Sequence, residues 1–491
     1  MARHRCDIVI LGAGFAGSLL SIIARKLGLD VVLLERGRHP RFAIGESSTP
    51  LANFKLAEIA DSYDLSWLKP FAEYGSWKQS YPDIACGLKR GFSFFAHTQG
   101  KPFPSSNAHE TELLVAANPD AEHGDTHWYR QEFDAFLVTR AVEAGVCYRD
   151  ECTVSRIDHD GRWRIAAEHR DQTVEVDAVF AVDATGDAAM LARTVGIALR
   201  NDHVRTSSRA VFSHFENVGL WEDELRYREA RLMDYPFACD AAALHHLIDG
   251  GWMWVLRFDN SVTSAGFSLD PAQYPIDAFP SAEVEWSSLL SKYPSIQRQF
   301  RDAGAVRPLV RTERLQRRFS AASGPNWALL PHTACFVDPW LSPGIAHTLF
   351  GVSRLARILG ERESARDRTE ALTNYSETVL REFHLIDRIT AACFARLDCF
   401  DVLVALSMLY FVAVTFAEKR AMTGDAADDE LFLLAHDPTF VSLIDEVTRA
   451  AYGVREADVE AFATAVASRL APYNLVGLCD PTRKNMYPYS H

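Results

Sequence analysis

The feature that most constrains the fold lies at the N-terminus, where a short apolar run leads directly into a glycine-rich turn. The run covers residues 6–11, a segment of small residues then extends to Gly28, and a second apolar run, 31–34, ends on Glu35. The turn has the pattern Gly-x-Gly-x-x-Gly, formed by Gly12, Gly14 and Gly17. This order of strand, glycine turn, helix and strand is typical of an α/β fold with a Rossmann-type dinucleotide-binding domain.

Each glycine has its own expected role. Gly12 permits the tight turn, Gly14 lets the backbone approach a pyrophosphate at the helix N-terminus, and Gly17 lets helix and strand pack closely. Glu35 lies eighteen residues after Gly17, where an acidic side chain accepts hydrogen bonds from adenosine ribose hydroxyls. Neighbouring residues expected to line the same site are Phe15, Ala16 and Arg36. A glycine turn in another kind of α/β protein is the structural alternative.

Length and composition bound the class of protein. The chain of 491 residues exceeds what one hydrophobic core usually fills, so two or three structural regions are expected. The formal net charge of −14 and the lack of a basic stretch argue against a nucleic-acid partner. Nine cysteines without a Cys-x-x-Cys pair indicate a reduced, cytoplasmic chain without disulfides or a metal site. The N-terminal apolar run is assigned to the first strand rather than to a secretion signal.

One long apolar segment, 402–417, raises the question of a membrane span. It is shorter than the roughly 20 residues that a spanning helix needs. We therefore expect a helix buried in the protein and no transmembrane segment. A docking surface for a protein or a membrane is the alternative.

Two further polar loops are expected to lie beside the dinucleotide. The first contains Glu46 and Ser47, and its alternative interpretation is a simple helix-capping turn. The second follows a predicted strand at 174–182 and has the pattern Asp-x-x-Gly, formed by Asp183 and Gly186. Such a tight turn brings the backbone against the cofactor.

The sequence changes character between about Arg200 and Thr312, where apolar and polar residues alternate with period two. The alternation predicts a second sheet that covers a redox ring. The predicted strands outside the nucleotide-binding part are 88–95, 211–215, 252–258 and 263–269. Residues 101–125 are expected to form a surface loop or mobile lid, and 219–247 a region of turns and helix.

The chain then returns to the first domain. Residues 326–330 predict a buried strand, which a Pro/Gly-rich loop connects to a helix from Ala346. We therefore expect a discontinuous dinucleotide-binding domain, a substrate-binding sheet domain and a C-terminal helical region. Their predicted boundaries are 1–200 with 313–360, then 201–312, then 361–491.

The order of these motifs resembles that of flavin-dependent halogenases and their relatives among aromatic flavoprotein hydroxylases, over about residues 7–351. Beside the N-terminal glycines and Glu35, the motifs that carry the resemblance are Gly45-Glu46-Ser47, Lys89-x-Gly91-x-x-Phe94, Arg130 before Phe133-Asp134, Asp183-Ala184-Thr185-Gly186 and Ala334-Cys335-Phe336-Val337-Asp338-Pro339. The resemblance implies an FAD-binding domain like that of glutathione reductase and p-hydroxybenzoate hydroxylase, with an inserted mixed sheet.

The cofactor implied by the resemblance is FAD. Arg130 and Asp338 are similar to residues that contact it in the family. The loop that ends in Pro343, Gly344 and Ile345 is similar to the one that lies against the isoalloxazine. In such enzymes reduced flavin and oxygen form a C4a-hydroperoxide, and the protein positions the substrate and excludes water.

The chain departs from the halogenase pattern at several positions. The motif W-x-W-x-I-P is changed, because only Trp252 and Trp254 are kept. Pro343 replaces a hydroxyl residue in the flavin loop, so an anion site there loses one backbone N–H. Leu341 stands where tryptophan halogenases have a catalytic glutamate, and Pro331-His332 replaces a Gly-Asp pair.

Lys89 is the halogenase catalytic position that is kept. In halogenases this lysine reacts with or binds hypohalous acid. In a hydroxylase it would donate a hydrogen bond to the flavin peroxide or to the substrate. A solvated lysine is the alternative. Weighed against the changed tryptophan motif, the lost chloride donor and the lost glutamate, the kept lysine leaves oxygen transfer favoured over halide oxidation. The expected enzyme is an FAD-dependent monooxygenase that hydroxylates an electron-rich phenol or indole.

His347 and His332 are the candidates for the general base of that reaction, and a structural histidine is the alternative for each. Four aromatic residues would supply the wall of the substrate site: Phe92, Phe94, Trp252 and Trp254. Ordinary packing in the core of the sheet is the alternative for them.

The substrate is expected to be an aromatic that is either small or tethered to a protein, because a long loop and extra helices could enclose one or dock the other. Relatives that oxidise a tryptophan side chain during assembly of quinone cofactors are one such branch. NAD(P)H or a separate flavin reductase would supply electrons, since no second nucleotide fingerprint is present. The rival functions are a halogenase and a non-catalytic flavin-binding assembly protein.

Overall fold

The computed structural model describes residues 3–104, 106–170, 172–361, 365–424 and 432–490. Its helices, in chain order, are α1 (Phe15–Lys26), α2 (Pro50–Ser62), α3 (Tyr74–Ser80), α4 (Arg130–Glu143), α5 (Met190–Thr194), α6 (Trp221–Tyr227), α7 (Ala282–Ser291), α8 (Pro294–Gln299), α9 (Pro331–Ala334), α10 (Gly344–Gly360), α11 (Ala365–Ala395), α12 (Phe400–Thr423), α13 (Pro438–Ala451) and α14 (Val459–Leu470). Its strands are β1 (Arg3–Leu11), β2 (Val31–Leu34), β3 (Cys86–Lys89), β4 (Gly91–Ala96), β5 (Glu112–Ala116), β6 (Asp125–Trp128), β7 (Cys147–Arg149), β8 (Cys152–His159), β9 (Trp163–His169), β10 (Gln172–Asp183), β11 (Arg209–Glu216), β12 (Ala243–Ile248), β13 (Gly251–Arg257), β14 (Thr263–Leu269), β15 (Gly304–Ala305), β16 (Val310–Arg311), β17 (Arg317–Arg318), β18 (Ser323–Gly324), β19 (Trp327–Leu329), β20 (Cys335–Phe336) and β21 (Met486–Tyr487).

The first sheet is a Rossmann-type sheet with the strand order β18-β19-β10-β1-β2-β7. β1 runs parallel to both β2 and β10, and Leu11 at its end lies opposite Leu34 and Asp183. The carboxyl ends of these three strands therefore meet at one edge, which is where dinucleotides bind in such sheets. β19 joins β10 in parallel, so the chain does return to this sheet late in the sequence, as predicted.

The second sheet has the order β15-β11-β14-β13-β12-β4-β5-β21, with β16 also paired to β11. It is not confined to residues 201–312, because β4, β5 and β21 join it from outside that range. Residues 101–125 are accordingly not only a loop, since they contain β5. The predicted strand 88–95 is in fact two strands, and β3 pairs with β6 instead of joining this sheet.

One central strand of the second sheet contradicts the sequence prediction. Residues 243–248 form β12, although 219–247 was predicted to be turns and helix. β12 lies between β13 and β4 and is buried along its whole length. Adjacent His245 and His246 interrupt the apolar pattern, so the strand has no period-two signal of its own.

The helices that follow the nucleotide-binding part pack together at the C-terminal end of the chain. α12 is buried over most of its length, as predicted for the apolar segment. Within the described residues it is the one helix long and apolar enough to cross a membrane, and 72% of its most apolar window is buried. The cytoplasmic location stays a prediction.

Candidate active site

The glycine turn after β1 is built so tightly that side chains are excluded from it. Gly12 has a φ of +96°, and an added Cβ would lie 2.5 Å from the carbonyl oxygen of Ala184. A Cβ on Gly17 would lie 2.0 Å from the carbonyl oxygen of Gly12. Both glycines therefore bring the start of α1 against β1 and the turn after β10.

Gly14 faces a cleft between two guanidinium groups. A Cβ there would lie 3.5 Å from Nη2 of Arg130 and 3.9 Å from Nη2 of Arg41. The Nε of Arg41 is buried and has no hydrogen-bond partner among the described residues. Two cations, an unused N–H and a helix N-terminus fit a pyrophosphate. Sequence reasoning missed Arg41, because no local pattern marks it.

Glu35 closes one side of this cleft. Its Oε2 accepts hydrogen bonds from the backbone N–H of Ala13 (2.9 Å) and from Arg41 (3.0 Å), and its Oε1 accepts from the N–H of Gly37 (2.8 Å). Burial opposes ionisation of this carboxyl, but Arg41 and the two amides outweigh it and lower the pKa. Of its neighbours, Arg36 is exposed.

Arg130 ties the loop at residues 44–46 to helix α4. Its guanidinium pairs with both oxygens of Asp134, at 2.7 and 2.9 Å, and donates to the carbonyl groups of Ile44 and Gly45. It also lies 4.7 Å from the centre of the ring of Phe15. Arg130 therefore positions the Glu46–Ser47 loop as well as the wall of the cleft.

Two other residues expected at the cofactor use their carboxylates to shape turns. Asp183 accepts from Thr185 and from the N–H of Leu191, which holds the turn containing Gly186. Asp338 accepts from Ser208 at 2.6 Å and from Ser268 at 2.7 Å. Burial raises the pKa of Asp338 to about 6 despite these hydrogen bonds. This carboxylate thereby links the loop that leads into α10 to the second sheet.

The loop that leads into α10 is strained. Leu341 and Ser342 both adopt positive φ, at 61° and 55°, which costs of order 1–3 kcal/mol per residue. The hydroxyl of Ser342 donates to the hydroxyl of Ser47 at 3.1 Å. Gly344 and Ile345 begin α10, so their N–H groups have no acceptor within the helix. A Cβ on Gly344 would meet no atom within 4 Å, so this backbone borders open space.

Lys89 is buried and aimed at the same region from the other side. Its Nζ donates to the carbonyl oxygen of Ser48 at 2.5 Å and lies 4.0 Å from the centre of the ring of Phe92. Burial lowers the pKa of Lys89, and the nearby Asp125 opposes that shift. Burial also raises the pKa of Asp125, whose Oδ1 accepts from Asn53. The solvated-lysine alternative is therefore wrong.

Glu46, two residues before Ser48, holds a second buried polar contact. One oxygen of its carboxylate lies 2.8 Å from Nε2 of His214. The other oxygen is buried without a partner among the described residues, so it is available to a donor on a ligand.

The four predicted wall residues are linked by ring contacts: Phe92 stacks on Phe94, and Trp252 packs against Trp254, at centroid distances of 6.3 and 5.8 Å. Phe92 lines a cavity together with Tyr410 and Phe411 of α12. Phe94 and Trp252 lie in an aromatic cluster with His245 and Trp340, at centroid distances of 4.4 to 5.6 Å. Trp254 packs against Phe212. All four side chains are buried, and their role as the wall of the substrate site stays a prediction.

The two candidate histidines lie in different places. His347 is buried between α10 and α11, with Nε2 3.3 Å from the carboxylate of Glu382 and its ring beside Phe432. His332 is exposed and borders the turn at Gly186, where an added Cβ would lie 3.5 Å from its ring. The described ranges contain no group of three side chains suited to a metal ion.

Comparison with known families now connects this geometry to a class of proteins. The family described as "Tryptophan halogenase" matches residues 122–395, which is more than half of the chain. The chain belongs to the tryptophan halogenase family. The halogenase-like resemblance inferred from the motifs is therefore confirmed.

Curated relatives of this halogenase-family chain are themselves halogenases. The monodechloroaminopyrrolnitrin halogenase PrnC of Pseudomonas fluorescens is 28% identical over 457 residues, covering 89% of this chain and 77% of PrnC. The tetracycline 7-halogenase of Kitasatospora aureofaciens is 30% identical over 351 residues, covering 70% of this chain and 61% of that protein. The comparisons thus support the halogenase alternative better than hydroxylation.

The fold of this family member matches solved structures over nearly its whole length. The crystal structure of halogenase PltM in complex with phloroglucinol and FAD has a TM-score of 0.86 at 24% identity, and it covers 98% of this chain and 99% of PltM. The expected fold class is confirmed. The expected cofactor class agrees with it, since this fold was solved with FAD.

Proposed function

We propose that the chain is an FAD-dependent halogenase that acts on an electron-rich aromatic substrate. One observation carries the proposal: an unbroken series of contacts links the strained loop before α10 to an aromatic cavity. Ser342 contacts Ser47, the next residue Ser48 accepts from Lys89, and Lys89 lies over Phe92 in the cavity wall. A buried amine between a loop of this kind and an aromatic wall suits transfer of an electrophilic halogen.

The residues around the glycine turn would hold FAD. The N-terminus of α1 with Arg41 and Arg130 would bind the pyrophosphate, and Glu35 would accept from the ribose. When bound and reduced, FAD would activate oxygen. Oxygen is the oxidant that converts the halide into an electrophile. NAD(P)H or a separate flavin reductase would deliver the electrons.

The start of α10 would hold the halide ion. Pro343 offers no N–H, but the N–H groups of Gly344 and Ile345 remain free of intrahelical acceptors and lie at the positive end of a 17-residue helix. The helix N-terminus therefore compensates for the donor that proline removes.

Lys89 would direct the electrophile to the ring. Its ammonium group is fixed by the carbonyl oxygen of Ser48, and the face of Phe92 lies directly beside it. Its remaining N–H bonds can donate to an oxygen or halogen atom held at the mouth of the cavity.

A Lys89→Met variant tests this assignment. We expect the rate of halogenation to fall at least about 100-fold while FAD binding is retained, because one positioned donor is lost without a change in the glycine cleft. The assay supplies a flavin reductase, NADH, an aromatic substrate and either chloride or bromide, and mass spectrometry quantifies the product.

Lys55→Met is the matched control. Lys55 is also fully buried and lies 4.3 Å from the centre of a phenylalanine ring, that of Phe350, but it is paired with Glu58 on α2. Its loss should leave the rate per FAD-loaded molecule within about threefold of the wild type. Equal losses in both variants would refute the role of Lys89.

Hydroxylation is the second candidate, and two observations favour it. Pro343 removes one N–H from the loop, and Leu341 places no carboxylate there. In a halide-free assay this function predicts a product that gains one oxygen atom in mass. A halide-dependent product instead supports the halogenase.

The size of the substrate is also a proposal. One relative from Pseudoalteromonas luteoviolacea is a brominase of pyrrole-2-carbonyl attached to a peptidyl carrier protein, at 25% identity. PltM was solved with free phloroglucinol. We favour a free small aromatic, because PltM, which was solved with one, shares the fold over nearly the whole chain.

A further inference from the structure

Asp125 lies directly opposite Lys89 in the small antiparallel sheet formed by β3 and β6. Residues that face each other in such a pair point to the same side of the sheet, with Cβ atoms about 4.5–5.5 Å apart. Both side chains are buried, since Lys89 is 0% exposed and Asp125 is 2% exposed. The candidate catalytic amine therefore shares its buried surroundings with a carboxyl group from the neighbouring strand.

The loop that contains Ser48 is attached to the same pair of strands. The N–H of Ser48 donates to the carbonyl oxygen of Thr126 at 3.0 Å, and its hydroxyl accepts from the N–H of Thr126 at 3.1 Å. The carbonyl oxygen of Ser48 in turn accepts from Lys89. Asp125 is thus the sequence neighbour of the residue that fixes the acceptor of Lys89.

Both groups keep hydrogen-bonding capacity that the described residues do not use. Oδ1 of Asp125 accepts from Nδ2 of Asn53 at 2.7 Å, whereas its Oδ2 is buried without a partner among the described residues. An ammonium group has three donors, and the described hydrogen bond of Lys89 uses one of them. A buried charge without an opposite charge nearby is costly, so the charged form of each group favours the charged form of the other.

Other titratable groups lie near this pair and contribute less charge to it. They are His127, His245, Tyr410, Glu418 and Glu73. Burial lowers the pKa of both histidines to about 3 and raises the pKa of the tyrosine, so these three are uncharged at neutral pH. Burial raises the pKa of Glu418 to about 7, and Glu73 is exposed, where water and salt screen its charge. Asp125 is the group whose charge opposes the lowering of the pKa of Lys89 by burial.

We propose that Asp125 is a positioning residue that keeps Lys89 in its ammonium form during turnover. The inference rests on the proposed function, because it concerns the amine that directs the electrophile in that activity. As an ammonium group, Lys89 can donate to an oxygen or halogen atom while it stays bonded to Ser48. Without a negative charge opposite it, a fully buried lysine favours the neutral amine, which has one donor fewer and no charge.

The experiment compares the wild type with Asp125→Asn, Asp125→Ser and Glu73→Gln. Asp125→Asn removes the charge and keeps the shape, and Asp125→Ser removes it with a smaller side chain that the site can accommodate without overpacking. Glu73→Gln is the control, because it removes an exposed carboxylate that acts on Asp125 from the surface. Flavin absorbance and circular dichroism confirm that each protein is folded and loaded with FAD.

The first measurement is the pH profile of halogenation, with phloroglucinol, bromide and chemically reduced FAD, so that no reductase contributes to the profile. At alkaline pH the wild-type rate should fall as Lys89 loses its proton. In both Asp125 variants this fall should begin at least about one pH unit lower, because a neighbouring opposite charge shifts a pKa by one unit or more. A merely structural defect would lower the rate equally at every pH. Glu73→Gln should follow the wild-type profile.

The second measurement needs no turnover. NMR spectroscopy of protein labelled with ¹³C at the lysine Cε reports the charge of Lys89, whose signal is identified by its absence from Lys89→Met. The titration midpoint of this signal should be at least about one pH unit lower in Asp125→Asn and Asp125→Ser than in the wild type. In the wild type Lys89 should be an ammonium group at neutral pH.

A neutral Lys89 in the wild type at pH 7 would overturn the inference, and this result needs no variant. Equal midpoints in the wild type and the Asp125 variants, an equal shift in Glu73→Gln, or a faster reaction of Asp125→Asn at alkaline pH would also contradict it. Failure of the proposed function looks different. In that case the wild type makes no halogenated product, while the midpoint of Lys89 still depends on Asp125.

Discussion

Gly14 and Gly17 belong to one sequence pattern, yet a methyl group added to each would meet very different surroundings. At Gly17 it would lie 2.0 Å from a backbone oxygen, which cannot move without displacing the turn. At Gly14 it would meet only the ends of the Arg130, Asp134 and Arg41 side chains, at 3.5 Å or more. At the scale of the residue, Gly17 is required for the backbone packing of the fold, and Gly14 is expected to leave space for the ligand.

Gly17→Ala should therefore lower the free energy of unfolding by more than about 3 kcal/mol, because backbone atoms must shift. Gly14→Ala should change it by less than about 1 kcal/mol but weaken FAD binding at least tenfold, since the methyl group occupies the pyrophosphate cleft. Urea unfolding and titration with FAD fluorescence measure the two quantities. Tight FAD binding by Gly14→Ala would show that the cofactor lies elsewhere.

At the scale of the element, helices α10 and α11 are joined by a buried ion pair. Arg354 of α10 donates to both oxygens of Glu382 of α11, at 2.9 and 2.6 Å, and His347 lies beside the same carboxylate. Because α10 begins at the strained loop, this pair fixes the helix whose N-terminus faces the proposed halide site. His347 contacts this ion pair, and its role as a catalytic base stays a prediction.

Glu382→Leu should cost about 3–5 kcal/mol of stability, because it leaves the guanidinium of Arg354 buried without its carboxylate. The double variant Arg354→Met/Glu382→Leu should recover most of that loss, since no unpaired charge remains. The exposed pair Arg140–Glu143 is the control, and Glu143→Leu should change stability by less than about 1 kcal/mol. Chemical denaturation of the four proteins measures this. A double variant no more stable than Glu382→Leu would contradict the ion-pair explanation.

At the scale of the whole molecule, several histidines are buried at sites where the folded protein disfavours their protonated form. His97 contacts His246 at 3.0 Å, and His246 contacts Gln299 at 2.9 Å. Burial lowers the pKa of His246 to about 3 although Gln299 opposes the shift, and burial lowers the pKa of His97 well below its usual value. Stability should thus depend on pH through the second sheet.

His246→Gln tests that dependence at one of these histidines. Below about pH 6.5 the unfolded wild type binds a proton at His246 that the folded protein excludes, so its stability falls by up to about 1.4 kcal/mol per pH unit until about pH 3. Asp338 acts in the opposite direction between about pH 4 and 6, because its raised pKa favours the folded state under acid conditions.

Since Asp338 is present in both proteins, the comparison isolates the histidine. The stability of His246→Gln relative to the wild type should improve by about 1.4 kcal/mol for each unit that the pH falls between about 6 and 4. Above pH 7 the difference should be constant. Urea unfolding at a series of pH values measures it, and parallel curves at all pH values would contradict the assigned pKa.

The sequence by itself determined the nucleotide-binding half of this protein. The glycine turn, Glu35, the late return of β19 and the buried helix α12 were all predicted, because each depends on local backbone geometry or on a periodic apolar pattern. The order of motifs further predicted the family. Hydroxylation was favoured from single positions such as Pro343, whereas the family and its relatives support the halogenase alternative better.

Only the tertiary structure decided which distant residues share a site. Lys89 was a candidate catalytic group from its motif, but only the structure shows that it is buried, with its amine against Ser48 and Phe92. Arg41 has no local signal, and β12 was not predicted because its two adjacent histidines interrupt the apolar pattern. These features depend on contacts between segments far apart in the chain, and the free energy of such contacts is absent from any local pattern.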